Sequence, residues 1–137
     1  MAKTNPPRRP TDAELELLQV LWAEGPCELA RIRAGLPRPL AASTVATVLK
    51  VMLEKGLVTR EQQGRSSQWA AAVSRSSVRR GAVRRLVDGL FEGSGQSLVQ
   101  GMLEDGELGA EDRAEIRALL DRYEKQSGKK GQRGGQR

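Results

Sequence analysis

Ser43, Ala46, Thr47 and Lys50 lie on one side of the stretch Ala42–Lys55, with Thr44 beside them. Serine and threonine hydroxyls both donate and accept hydrogen bonds, lysine is a mobile cation, and alanine permits close approach. The same stretch places Val45, Val48, Leu49, Met52 and Leu53 at i, i+3, i+4, i+7 and i+8, the apolar face of a helix. A merely solvated face on so charged a chain would carry Glu–Lys pairs. A small, hydroxyl-rich face with one cation suits a helix laid against a large polyanionic surface. The stretch predicts a recognition helix for DNA.

A recognition helix needs a scaffold. Upstream, Thr11 and Glu14 form a capping-box pattern ahead of a helix from Asp12 to about Ala23, with Leu15, Leu18, Leu21 and Trp22 inward. Gly25-Pro26 ends it. A short helix follows over about Glu28–Ala34, with Leu29 and Ile32 inward and Arg31 and Arg33 outward. Pro26–Glu28 supplies a short extended segment before it, and Cys27 reads as a small packing residue near this junction. Gly35 and Leu36-Pro37-Arg38-Pro39 connect to Ala42–Lys55, and Gly56 stops that helix. Residues 57–63 and 67–73 then read as two strands around a Gly64-Arg65-Ser66 turn. Three helices and a hairpin are the order of a winged helix-turn-helix, here spanning residues 11–74. Arg60 and Arg65 fall on or beside the wing, and Arg38 near the recognition helix, all three as phosphate contacts.

A different kind of segment occupies residues 75–125. From Ser76 or Ser77, Val83, Leu86, Val87, Leu90 and Phe91 repeat the helical stripe on a helix that also carries Arg79, Arg80, Arg84 and Arg85. Leu98, Val99, Met102 and Leu103 mark a short helix. Ile116, Leu119, Leu120 and Tyr123 mark a last one, from about Ala110 to Lys125. Three short helices close a core poorly by themselves. A second copy of the segment is the economical cover, so these residues are expected to form a homodimer. The alternative is that the stripes fold back on the winged domain of their own chain.

The totals narrow the function. The 137 residues carry 23 Lys/Arg, 17 Asp/Glu and no histidine, a formal charge of +6. The excess lies in residues 1–73 (+3) and 126–137 (+4), while 74–125 is near neutral (−1). Residues 1–10 read as a disordered basic arm, whose Arg8 and Arg9 could reach a phosphate backbone, and 126–137 as a disordered basic tail. Without histidine, with one cysteine and without a glycine-rich phosphate loop, neither an enzyme nor a metal or cofactor site is expected. No apolar run approaches a membrane span, no signal peptide is visible, and the lone cysteine suits a reducing cytoplasm.

The motifs ELELLQVLW, STVATVLKVMLEKGLV, the Gly-Arg wing turn, SLVxxxLEDGEL and EIRALLD resemble the BlaI/MecI penicillinase-repressor family. The resemblance covers about residues 10–125. It implies a mainly α fold with a small β-wing: an N-terminal winged helix on DNA and C-terminal helices interlocked with a partner's. It implies a homodimeric transcriptional repressor in which Ser43, Thr44 and Thr47 contact DNA. Where other members can carry a large basic residue, this chain has Ala46, which can still meet a thymine methyl. Some members are cleaved in the dimerisation segment by a membrane sensor-protease system; the Asn-Phe bond cut there aligns with Gly101-Met102, which does not match it. Copper-responsive relatives bear a cysteine-rich C-terminus, absent here.

The expected function is therefore repression by a homodimer on a near-palindromic operator, released by proteolysis or another signal that weakens the dimer. The alternative is a winged-helix protein–protein adaptor without specific DNA binding.

Overall fold

A computed structural model of the chain describes residues 9–134, with side-chain surroundings as far as residue 128. The elements run α1 (Asp12–Glu24), α2 (Leu29–Ala34), α3 (Ala42–Lys55), β1 (Val58–Gln63), β2 (Ser66–Ala71), α4 (Arg75–Leu90), α5 (Gly95–Glu104) and α6 (Ala110–Gly134). One compact unit ends at Arg85 and a second begins at Leu86.

The first unit holds the core. Leu17, Leu18, Val20 and Leu21 of α1 meet Ile32 of α2, Val45, Leu49 and Met52 of α3, and Leu57, Val58 and Trp69 of the hairpin. The expected inner side of α1 is thus shifted: Leu17 and Val20 are buried, while Leu15 and Trp22 are half-buried. A helix enclosed by two others and a hairpin buries more than one stripe. Likewise Leu53 of α3, expected in the core, is 38% exposed.

Each element starts and stops for a local reason. Thr11 caps α1 with the full capping box, its hydroxyl accepting from the Glu14 N–H and the Glu14 carboxylate accepting from the Thr11 N–H at 2.9 Å. The Gly35 backbone lies against Val20, where a Cβ would come within 3.0 Å of a methyl group, so α2 ends on a close approach. Gly56 closes α3 in the left-handed region (φ 83°), its N–H donating to Leu53 O and the Leu57 N–H to Met52 O, which turns the chain straight into β1. The antiparallel hairpin pairs Val58 with Ala71 through Gln63 with Ser66, leaving a two-residue loop with Gly64 at φ 61°. Cys27 adds a backbone bridge to Trp69, its N–H donating to Trp69 O and its carbonyl accepting from Trp69 N–H.

In the second unit the helices are capped but thinly packed. Ser94 caps α5 by accepting from the Ser97 N–H, and the Phe91 ring lies against Gly101. No residue from Arg75 to Gly128 is buried. Two boundaries differ from expectation. Helix α4 starts at Arg75 rather than Ser76 or Ser77 because the Ser74 hydroxyl is the cap, accepting from the Ser77 N–H at 3.0 Å. Helix α6 continues to Gly134, so residues 126–134 of the expected disordered tail are helical. No proline interrupts that segment. The arm expected over residues 1–10 lies outside the described residues apart from Arg9 and Pro10, as do residues 135–137 of the tail.

Glu14 is 4% exposed and its carboxylate also accepts from the Lys55 ammonium at 2.6 Å, joining the start of α1 to the end of α3. Removing one partner of a buried pair strands the other charge. Glu14→Ala should therefore cost about 3 kcal/mol in urea unfolding. Glu16→Ala, which removes an exposed pair with Arg38, should cost under about 1 kcal/mol. Equal losses would refute the special role of the buried pair.

Candidate nucleic-acid interface

The buried side of α3 fixes what its other side offers. With Val45, Leu49 and Met52 fully enclosed, Ser43, Thr44, Ala46, Thr47 and Lys50 all lie exposed on the remaining surface. The Thr47 hydroxyl donates to the Ser43 carbonyl at 3.0 Å. Its proton is thereby engaged within the helix, and what it presents outward is oxygen lone pairs and a methyl group. Ala41, at the N-cap, supplies no side-chain hydrogen bond, so the first N–H groups of α3 have no side-chain cap. Such groups suit a phosphate oxygen.

The hairpin stands beside this face. Arg60 is held in two ways, its guanidinium 5.4 Å from the Trp69 ring centre and its Nε donating to the Ser67 hydroxyl at 3.0 Å. Stacking on an indole fixes a guanidinium without neutralising it. Arg65 occupies the second position of the hairpin loop and is exposed. Arg38 is placed differently from Arg60: its Nε lies 3.3 Å from the Glu16 carboxylate, so part of its charge is spent on α1.

Between α3 and the hairpin lies an open groove of about 690 Å³. Ala46, Lys50 and Arg60, singled out from sequence, line it. So do Leu53, Glu54, Ser66, Ser67 and Trp69, which sequence reasoning did not assign to the interface. The signal for Leu53 was present, since it lies at the edge of the helical stripe, seven residues after Ala46. Ser66 and Ser67 had no such signal, because their role depends on hairpin register. The two cations suit a sugar-phosphate strand, whereas the Ser66 and Ser67 hydroxyls already donate to the Gln63 carbonyl and the Gln62 amide oxygen, and Glu28 and Glu54 repel a phosphate and bound the region such a strand can occupy.

Cys27 is half-buried, and its thiol is pushed up from its ordinary pKa by burial and by the Glu24 charge, with Arg31 opposing in part. That suppresses the thiolate and fits a packing residue, not a reactive one. Among the described residues no cluster of acidic, cysteine or histidine side chains could hold a metal ion, and no helix is long and apolar enough to cross a membrane.

The chain is similar to several known proteins. The methicillin resistance regulatory protein MecI of Mammaliicoccus sciuri is 20% identical over 114 residues, covering 82% of this chain and 93% of that protein. Among solved structures, the transcriptional regulator Tm0710 of Thermotoga maritima matches with a TM-score of 0.49 at 20% identity, covering 88% of this chain and 78% of its own. BpsR of Bordetella bronchiseptica, whose DNA binding is regulated by 6-hydroxynicotinic acid, matches with a TM-score of 0.43 at 20% identity, covering 82% and 74%. The family model described as penicillinase repressor matches residues 10–122, nearly the whole chain. The chain belongs to the penicillinase repressor family, and it is a DNA-binding transcriptional regulator of winged-helix fold, not an enzyme.

Proposed function

We propose that the chain is a sequence-specific repressor that binds a near-palindromic operator as a homodimer. The observation that carries this reading is the contrast between its two units. The first buries most of its apolar residues in one core, whereas seven of the ten large apolar side chains exposed among the described residues lie in the second, between Leu86 and Tyr123. Leu90 is 74% exposed, Leu120 57% and Tyr123 63%. Val83, Leu86, Val99, Leu103 and Leu119 are also exposed, and Val87, Phe91, Leu98, Met102 and Ile116 are half-buried. So much apolar surface marks an association site, and a second copy offers a matching one under two-fold symmetry.

On DNA, Ser43, Thr44, Ala46 and Thr47 meet base edges in the major groove. Lys50, Arg60 and Arg65 hold phosphates, with Arg38 contributing less because of its pairing with Glu16. One such domain makes few strong base contacts. Two at fixed spacing convert weak half-site recognition into useful selectivity, because the second engagement is effectively intramolecular. Occupying a promoter blocks transcription, and any signal that weakens the dimer, proteolysis by a membrane sensor-protease system among them, releases it. Reading chromosomal DNA places the protein in the cytoplasm.

A negative charge on the reading face should repel phosphates without touching the core. Thr47→Glu is expected to lower operator affinity by about 100-fold or more while light scattering still reports a dimer; unchanged affinity in a gel shift would exclude this face as the reader. Leu90→Asp should give a folded monomer of mass near 14.9 kDa. A variant that stays dimeric would place the interface elsewhere.

A further inference from the structure

Val73 and Arg75 flank Ser74 where the chain passes from the hairpin into α4, and one side chain of α1 holds both. The Trp22 indole Nε1 donates to the Val73 carbonyl at 2.9 Å. The Arg75 guanidinium lies 5.2 Å from the centre of the Trp22 ring. Between them Ser74 caps α4 through the Ser77 N–H, and the Ser77 hydroxyl donates back to the Ser74 carbonyl at 3.0 Å. The start of α4 and its initial direction are thus fixed by hydrogen bond, cap and cation–π contact together. Helix α4 then runs unbroken to Leu90, its residues belonging to the first unit as far as Arg85 and to the second from Leu86.

Core packing alone does not need this arrangement. Trp22 is only half-buried, and an indole N–H reaching a backbone carbonyl fifty-one positions away is a directional contact, not filler. Arg75 is exposed and could point its charge into water. Resting a guanidinium on an indole face instead gives up side-chain freedom for a defined geometry.

We propose that Trp22 and Arg75 are positioning residues for DNA recognition. By fixing the exit of α4 from the reading domain, they set the separation of half-sites that a dimer accepts. The inference rests on the dimeric reading above. In a dimer joined through its C-terminal helices, every degree of looseness at the α4 exit is a looseness in the distance between the two copies of α3. A rigid exit gives a sharp preference for one spacing; a loose exit spreads the same binding over several and lowers the effective concentration at each.

The test uses the full chain and DNA duplexes carrying two half-sites, with the distance between them varied one base pair at a time, alongside a duplex with a single half-site. The wild type should favour its best spacing over one two base pairs away by about 10-fold or more. Trp22→Phe, which keeps the ring and loses the N–H donor, and Arg75→Gln should each reduce that ratio to about 3-fold or less, with single-half-site affinity within about 2-fold of wild type. Arg79→Gln, which removes the same charge from an exposed position on α4, should leave the ratio intact. The inference is overturned if both variants retain the wild-type ratio, or if they lose affinity equally on one half-site and two. A wild type that gains nothing from a second half-site at any spacing would instead overturn the dimeric reading itself.

Discussion

The carboxylate of Glu14 is the junction on which the reading domain turns. It accepts from the Thr11 N–H, closing the cap of α1, and from the Lys55 ammonium in the last turn of α3. A charge 4% exposed is tolerable only because both demands on it are met in place. The same contact sets where α3 ends relative to where α1 begins. The hydrophobic core settles that α3 lies against α1 and α2, but apolar packing is not directional and tolerates sliding. The Glu14–Lys55 pair and the Gly56 turn supply the direction, so the exposed side of α3 has one orientation.

That orientation explains the composition of the face. Ser43, Ala46 and Thr47 are short, and the Thr47 hydroxyl is already bonded to the helix, so the surface is close-fitting and poor in long reaching side chains. Cations stand at its margins on Lys50, Arg60 and Arg65. Their attraction to phosphate is strong, falls with salt and says nothing about sequence. In the proposed dimer, selectivity comes from shape, from a few base contacts and from duplication. The exposed stripes of α4, α5 and α6 are the surface proposed to join two copies, and the Trp22, Val73 and Arg75 contacts hold the start of α4.

Much of this was legible in the sequence because it is local. The capping box at Thr11 and Glu14, the apolar stripe of α3, the stop at Gly56 and the glycine turn of the hairpin each depend on residues within a few positions of one another. What escaped is long-range or depends on register. The Glu14–Lys55 pair joins residues forty-one positions apart, and no periodicity announces it. Leu53 was assigned to the core by its spacing, but it sits at the edge of the stripe and opens onto the groove. On α1, Leu17 and Val20 were missed because a stripe of one width was assumed for a helix enclosed on several sides. The glycine-rich end of α6 reads as disordered by composition, yet no proline interrupts it and the helix continues to Gly134. Arg38 was assigned to phosphate on charge alone, without sight of its partner Glu16 on α1.

One small face on α3, presented twice by a symmetric dimer, is the proposed reader of the DNA. The most direct measurement is a hydroxyl-radical footprint of the full chain on the DNA sequences it selects from a random pool. Two protected segments related by a two-fold axis are expected, their centres about one helical turn or a small multiple of it apart. A single asymmetric block of protection, or protection that does not depend on sequence, would contradict it.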